Sequence, residues 1–342
     1  MTVNIGVIGT GNIGTDHITK LSGRIAGARV SAVFDVDTDR ASAVAQGVGA
    51  KAYGSALEVI DSSDTDAVVI ASPGPLHPEQ TLACFAAGKP VLCEKPLGTT
   101  SEDCRRVLDA EVALGRRLVQ VGFMRRYDPA YRQVKATLDA GAVGEPLLVH
   151  AIHRNPTVPE AFTADMSMTD SVVHEFDTFR WLLGAEIVAV TVLAAKRSPR
   201  AAQHMRDPQL VLMEMADGVL VEVESFVNCK YGYDVRCEVV GSEGTVALEN
   251  PTGSTVTAAG VRGQGVPADW RVRFTQAYHD ELQEWVDGLA VGTVSGPSAW
   301  DGYAATAVSE ASVRALATGG RVEVALGEQP ALYRDGHQDG AP

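Results

Sequence analysis

Asn4-Ile-Gly-Val-Ile-Gly-Thr-Gly-Asn-Ile-Gly14 is the stretch on which the fold turns. Its first half is an apolar run of strand length, and Gly9, Gly11 and Gly14 then fit G-x-G-x-x-G with a helix opening near Asn12. Glycine has three physical reasons to recur there: a tight turn, close backbone approach to a pyrophosphate, and close helix–strand packing. The first amides of the helix, around Asn12 and Ile13, present free N–H groups and the positive dipole end. Glycine turns are common, so the pattern takes its force from the strands and helices around it.

A second apolar strand, Val30-Ser-Ala-Val-Phe34, ends in Asp35, 21 residues after Gly14. A dinucleotide fold places there the acidic residue that accepts from the adenosine ribose hydroxyls. The same carboxylate repels a 2′-phosphate, which predicts NAD in preference to NADP. Further strands at Asp66–Ala71, Pro90–Cys93 and Arg117–Gly122 alternate with helical patterns at Thr38–Gly47, Ser55–Asp61, His77–Ala87 and Ser101–Gly115. The alternation predicts a parallel sheet with helices on both faces, an α/β N-terminal Rossmann dinucleotide-binding domain over residues 1–122. Ligands bind such sheets at the carboxyl ends of the strands, where Ser72, His77, Glu94 and Lys95 fall. Lys95, just past a buried strand and held extended by Pro96, is placed in the crevice.

Met168 to Gly184 reads as a helix with a start signal at Thr169/Asp170 and a stop at Gly184. At about 100° per residue, Asp170, His174 and Asp177 fall within roughly 60° of arc. Val172, Val173, Phe176, Phe179, Leu182 and Leu183 form the apolar remainder. Carboxylate, imidazole and carboxylate in one row admit a catalytic face or a solvated polar face. A metal site ranks below both, since no other Cys/His cluster has ligand spacing.

The whole chain sets the bounds. Its 342 residues are long for one core and suggest two domains, with a substrate-binding and oligomerisation domain over 123–326 and a flexible tail over 327–342. A net charge of −14 disfavours nucleic acid and anionic membrane as partners. No run approaches the roughly 18 apolar residues of a membrane span, and no export signal is visible. The five cysteines, odd in number and without a CxxC, suit thiols in a reducing cytoplasm.

After Gly122 the alternation stops. Asp128–Ala140 reads as a linking helix, and Pro146–Asn155 as a strand on which His153 and Asn155 share a face. Asp217-Gly218 and Ser242-Glu-Gly244 sit between strand patterns as hairpin turns. They predict an α+β C-terminal domain with an open, mostly antiparallel sheet. Apolar candidates for its outer face (Leu210, Leu212, Val219, Val221) suggest burial against another subunit. Pro251–Arg271 reads as a loose hairpin or loop, followed by helices at Tyr278–Leu289 and Trp300–Thr318 and a strand at Arg321–Ala325. Tyr278 either lines the substrate site or packs.

Taken together, Gly9-Thr-Gly-Asn-Ile-Gly14, Glu94-Lys95-Pro96 and the Asp170-x-x-x-His174 helix resemble the Gfo/Idh/MocA oxidoreductase family over nearly the whole chain. Gly122-Phe-Met-Arg-Arg-Tyr-Asp128, His153-Arg-Asn-Pro156 and Tyr231-Gly-Tyr-Asp234 support it. One departure is Ser72-Pro-Gly-Pro75, where many members carry Thr-Pro-Asn. The resemblance implies NAD-dependent oxidation of myo-inositol to its 2-keto product in a homotetramer. It also implies a catalytic set of Lys95, Asp170 and His174, and substrate contacts from Arg125, His153, Asn155, Asp177 and Tyr233. His174 is the expected base, Asp170 its orienting partner, and Lys95 the donor that stabilises alkoxide character. The pocket residues describe a small neutral polyol. Rival readings are a dehydrogenase of another cyclitol or of a pyranose such as glucose or xylose, and a non-catalytic sugar or cofactor sensor.

Overall fold

The computed structural model describes residues 2–248 and 255–334. The chain forms two compact units: one holds the chain up to Met124, Ala277–Thr306 and the chain from Leu326 on, the other Arg125–Gln276 and Ala307–Ala325. The sequence places everything from 123 to 326 in the second domain; instead the segment Ala277–Thr306 belongs to the first. The expected tail is anchored as far as it is described, since the Tyr333 hydroxyl donates to Glu111 Oε2 at 2.7 Å. Residues 335–342 of that tail, and 251–254 of the expected loop, lie outside the described residues.

The first unit opens with β1 (Val3–Ile8), α1 (Asn12–Gly23), β2 (Ala28–Phe34), α2 (Thr38–Val48), β3 (Lys51–Ala52) and α3 (Ala56–Asp61). It continues with β4 (Ala67–Ile70), α4 (His77–Ala86), β5 (Val91–Glu94), α5 (Ser101–Leu114) and β6 (Val119–Gly122). Its six strands run parallel in the order β3-β2-β1-β4-β5-β6. Helices cover both faces, so β4 and β5 are buried throughout and read as unbroken apolar runs. Asp37, Ser55 and Thr100 cap α2, α3 and α5 with their side chains.

The second unit carries α6 (Pro129–Asp139), β7 (Pro146–Arg154), α7 (Val173–Leu183), β8 (Ile187–Ala194), β9 (Gln209–Met215), β10 (Leu220–Phe226), β11 (Asp234–Gly241) and β12 (Thr245–Ala247). Then come the hairpin of β13 (Thr255–Ala258) and β14 (Val261–Gln264), α8 (Trp270–Arg273), α9 (Thr275–Ala290), α10 (Ala299–Thr318) and β15 (Val322–Glu323). The seven-stranded sheet runs β12-β11-β7-β10-β9-β8-β15 and is antiparallel except where β7 meets β10. In the first unit, α9 sets Leu282, Trp285 and Val286 against Val3, Ile5, Val7 and Leu92, which is why it belongs there.

Strand parity corrects the outer-face expectation. Leu210 and Leu212 do face outward, half-buried, but Val219 and Val221 are buried. The Asp217-Gly218 turn sets a register in which Val221 lies opposite Met213 on the core side, leaving Leu220 outside.

Candidate active site

In the first unit the three glycines divide by what surrounds them. A Cβ on Gly9 would strike the Ala71 backbone and one on Gly14 the carbonyl of Gly9, whereas a Cβ on Gly11 would meet nothing within 4 Å. Packing explains Gly9 and Gly14; at Gly11 it does not, and room for a ligand does. The helix after the turn has Gly11 as its N-cap with no side-chain cap, unlike α2, α3 and α5. The amides around Asn12 and Ile13 therefore keep their anion-binding capacity, and the turn fits the diphosphate of NAD.

Asp35, at the end of β2, is buried and fully engaged. The Thr10 amide and hydroxyl donate to Oδ2 at 2.6 and 2.8 Å. The Asp37 amide (2.9 Å) and Arg40 Nη2 (2.7 Å) donate to Oδ1. Burial pushes this carboxyl up, but the hydrogen bonds outweigh it and bring its pKa down to about 2. The carboxylate therefore stays ionised at the end of β2. Arg40, absent from the sequence-based expectations, sets a cation beside it.

Ser72 follows β4 and its hydroxyl donates to Gln80 Oε1 at 2.6 Å. His77 is placed otherwise than expected: it is 1 % exposed, with Nδ1 2.7 Å from Pro96 O and Nε2 2.8 Å from Ser72 O. Both ring nitrogens face carbonyl oxygens of its own unit, so the ring braces two loops. Burial holds its pKa below the ordinary value, against the pull of those carbonyls and of Glu94. Glu94 is buried as well, 2.7 Å from Nε2 of His17 on α1. Lys95 is half-buried beside it. Tyr278 packs edge-on against the His17 ring at 5.8 Å.

In the second unit the expected single helix is two pieces. Ser167–Ser171 is a π-helical turn, closed by the Val172 amide donating to Ser167 O, and α7 starts at Val173. Asp170 lies exposed in the wide turn, while His174 and Asp177 are buried on α7. The chain enters already helical, which is why Thr169/Asp170 does not act as a cap. With Val173 to Arg180 all buried, His174 and Asp177 do not lie on a solvated face.

Asp177 is 0 % exposed and accepts from Arg126, whose Nε lies 2.9 Å from Oδ2. Arg125, expected at the substrate, is 1 % exposed and ion-paired with Glu175. His153 Nδ1 completes the cluster, 2.9 Å from Glu175 Oε2 and 3.3 Å from Arg125 Nη2. Tyr233 stacks edge-on to the His153 ring at 5.8 Å. Burial opposes the Glu175 charge, yet Arg125 and His153 outweigh it and hold the carboxyl below its usual range. The sequence reading missed Glu175, although its place three residues after Val172 and four before Phe179 put a carboxylate on the apolar stripe. Asn155, on the same side as His153, keeps a buried Oδ1 without a hydrogen-bond partner among the described residues, a position suited to a hydroxyl donor.

Comparison with known proteins matches residues 3–123 to a family model described as an oxidoreductase family with an NAD-binding Rossmann fold. Residues 131–247 match the GFO/IDH/MocA C-terminal domain. An inositol 2-dehydrogenase of Saccharopolyspora erythraea is 52 % identical over 99 % of this chain and 100 % of its own. One of Burkholderia ambifaria is 47 % identical over 98 % and 100 %. The crystal structure of Lactobacillus casei myo-inositol dehydrogenase with NAD(H) and myo-inositol superposes with a TM-score of 0.95 at 36 % identity, covering 98 % of this chain and 100 % of that one. The scyllo-inositol dehydrogenase of the same organism, with NAD(H) and scyllo-inositol, reaches 0.87 at 25 % identity over 95 % and 99 %.

Proposed function

The chain belongs to the Gfo/Idh/MocA oxidoreductase family, and on that premise we propose that it oxidises myo-inositol to 2-keto-myo-inositol with NAD. The observation that carries this reading is identity of 52 % over 99 % of this chain and 100 % of an inositol 2-dehydrogenase. The myo-inositol enzyme is nearer in sequence and in backbone than the scyllo-inositol enzyme, which favours the myo isomer.

NAD supplies the hydride acceptor at the nicotinamide ring. The uncapped α1 amides and Gly11 would hold its diphosphate, and Asp35 its adenosine ribose. His174 takes the hydroxyl proton, the general-base role that imidazole side chains fill near neutral pH. Asp170 orients that imidazole, and Lys95 donates to the reacting oxygen and favours its alkoxide character. Asn155 offers Oδ1 to a substrate hydroxyl. Arg125, His153, Glu175 and Tyr233 form the buried support on which α7 and β7 are held in place.

The half-buried outer face of the seven-stranded sheet, with Leu148, Ile152, Leu210, Leu212 and Phe226, supports a homotetramer formed through it. Among the described residues no helix is long and apolar enough to cross a membrane. Five free thiols, four of them buried, suit a cytoplasmic enzyme. The direct test monitors NADH absorbance with myo-inositol, scyllo-inositol, glucose and xylose, each with NAD and with NADP. Turnover of myo-inositol with NAD is expected to lead the panel; preference for a pyranose, or no turnover of any member, overturns the reading.

A further inference from the structure

Lys95 lies between residues that two buried histidines hold, and we propose that His17 and His77 are positioning residues for its ammonium. This rests on the alkoxide-stabilising role proposed for Lys95. On the N-terminal side, Glu94 Oε1 lies 2.7 Å from His17 Nε2, and Oε2 accepts from the Lys95 amide at 3.2 Å. Gly122 on β6 closes that seat, since a Cβ there would lie 3.1 Å from the Glu94 carboxyl carbon. On the C-terminal side, His77 Nδ1 lies 2.7 Å from Pro96 O, with Nε2 2.8 Å from Ser72 O. Leu97 is 0 % exposed and lies so close to Gly302 of α10 that a Cβ there would come within 2.7 Å of its own Cβ.

Residues 94, 96 and 97 are thus pinned from three directions around Lys95. His17 adds a link to the cofactor side. It sits on the helix that opens at the glycine turn, so the element that would carry the diphosphate also sets the register of the residue beside Lys95. A misplacement of about 1 Å at a reacting group costs about 10²-fold in rate, so such a brace acts on kcat without touching substrate.

The test uses steady-state kinetics of the full chain with myo-inositol and NAD, in the native and Lys95→Ala backgrounds. His77→Asn keeps an amide donor near Nδ1 toward Pro96, and His77→Gln keeps one only near Nε2 toward Ser72. His17→Gln keeps the donor to Glu94, and His17→Leu removes it. His77→Gln and His17→Leu are expected to lower kcat at least about 10-fold with KM for NAD held within about 2-fold. His77→Asn and His17→Gln should restore most of kcat. In the Lys95→Ala background the same substitutions should leave the residual kcat unchanged, because the brace acts only through that lysine. Equal losses in both backgrounds, or no difference within each pair of variants, overturn the proposal. Should the His77 variants not fold, the His17 pair decides by the same criterion. Full activity of Lys95→Ala alone is a separate failure, that of the role given to Lys95.

Discussion

The Asp35 carboxylate accepts from the Thr10 amide, the Thr10 hydroxyl, the Asp37 amide and Arg40. Those bonds lower its pKa to about 2 from an ordinary value of 3.8, and the linked stability has a definite sign. A depressed carboxyl stabilises the fold fully above its unfolded pKa and loses that contribution as pH falls through its folded one. Asp35→Asn should therefore lower Tm at neutral pH, with the gap to the native chain closing between about pH 4 and about pH 2 in thermal melts. The same variant should raise NADP use relative to NAD, because one of the two carboxylates that repel a 2′-phosphate beside Arg40 is then gone. KM values for the two cofactors measure this, and an unchanged ratio removes Asp35 as the discriminator. His174→Ala and Lys95→Ala should each cut kcat by at least about 10² while NAD affinity, read by fluorescence titration, holds.

At the scale of elements, the β1–α1 turn separates packing glycines from the ligand glycine. Gly11→Ala should fold with an unchanged Tm and lose at least about 10-fold in NAD affinity, whereas Gly14→Ala should fold poorly because its Cβ has no room. An equal loss of Tm in both variants would count against the assignment of the turn. The second unit has its own element-level device: Arg125 from the turn before α6, His153 from β7 and Glu175 from α7 meet in one buried cluster. Glu175→Leu leaves a guanidinium buried without its partner and should cost about 3–5 kcal/mol in denaturant unfolding. Adding Arg125→Met should recover much of that loss, since the uncompensated charge goes with it. Element positions in the nucleotide half were legible because turn residues, caps and apolar runs act over a few residues. The start of α7 was not legible, because a π-helical turn leaves nothing in the sequence pattern that sets it apart from an α-helix.

Across the whole molecule, strand parity sets which side chains the large sheet presents on its outer face. Leu212 faces outward from β9, half-buried, opposite Glu222 of β10. Leu212→Asp should shift the assembly toward smaller species in sedimentation analysis with an unchanged far-UV spectrum; a retained tetramer would place the interface elsewhere. The order of residues by itself determined the dinucleotide fold, the cofactor class and the candidate catalytic set. Those signals sit in glycine spacing, strand-end position and helix periodicity, which local sterics and backbone hydrogen bonding enforce. Only the tertiary structure decided that Ala277–Thr306 returns to the first unit and that Val221 faces inward. It alone set Arg125 beside Glu175 and His77 between two backbone carbonyls. A buried charge or imidazole must find its partner wherever the fold brings one, here 50 residues away for Arg125 and 19 for His77, and no local rule reports that distance.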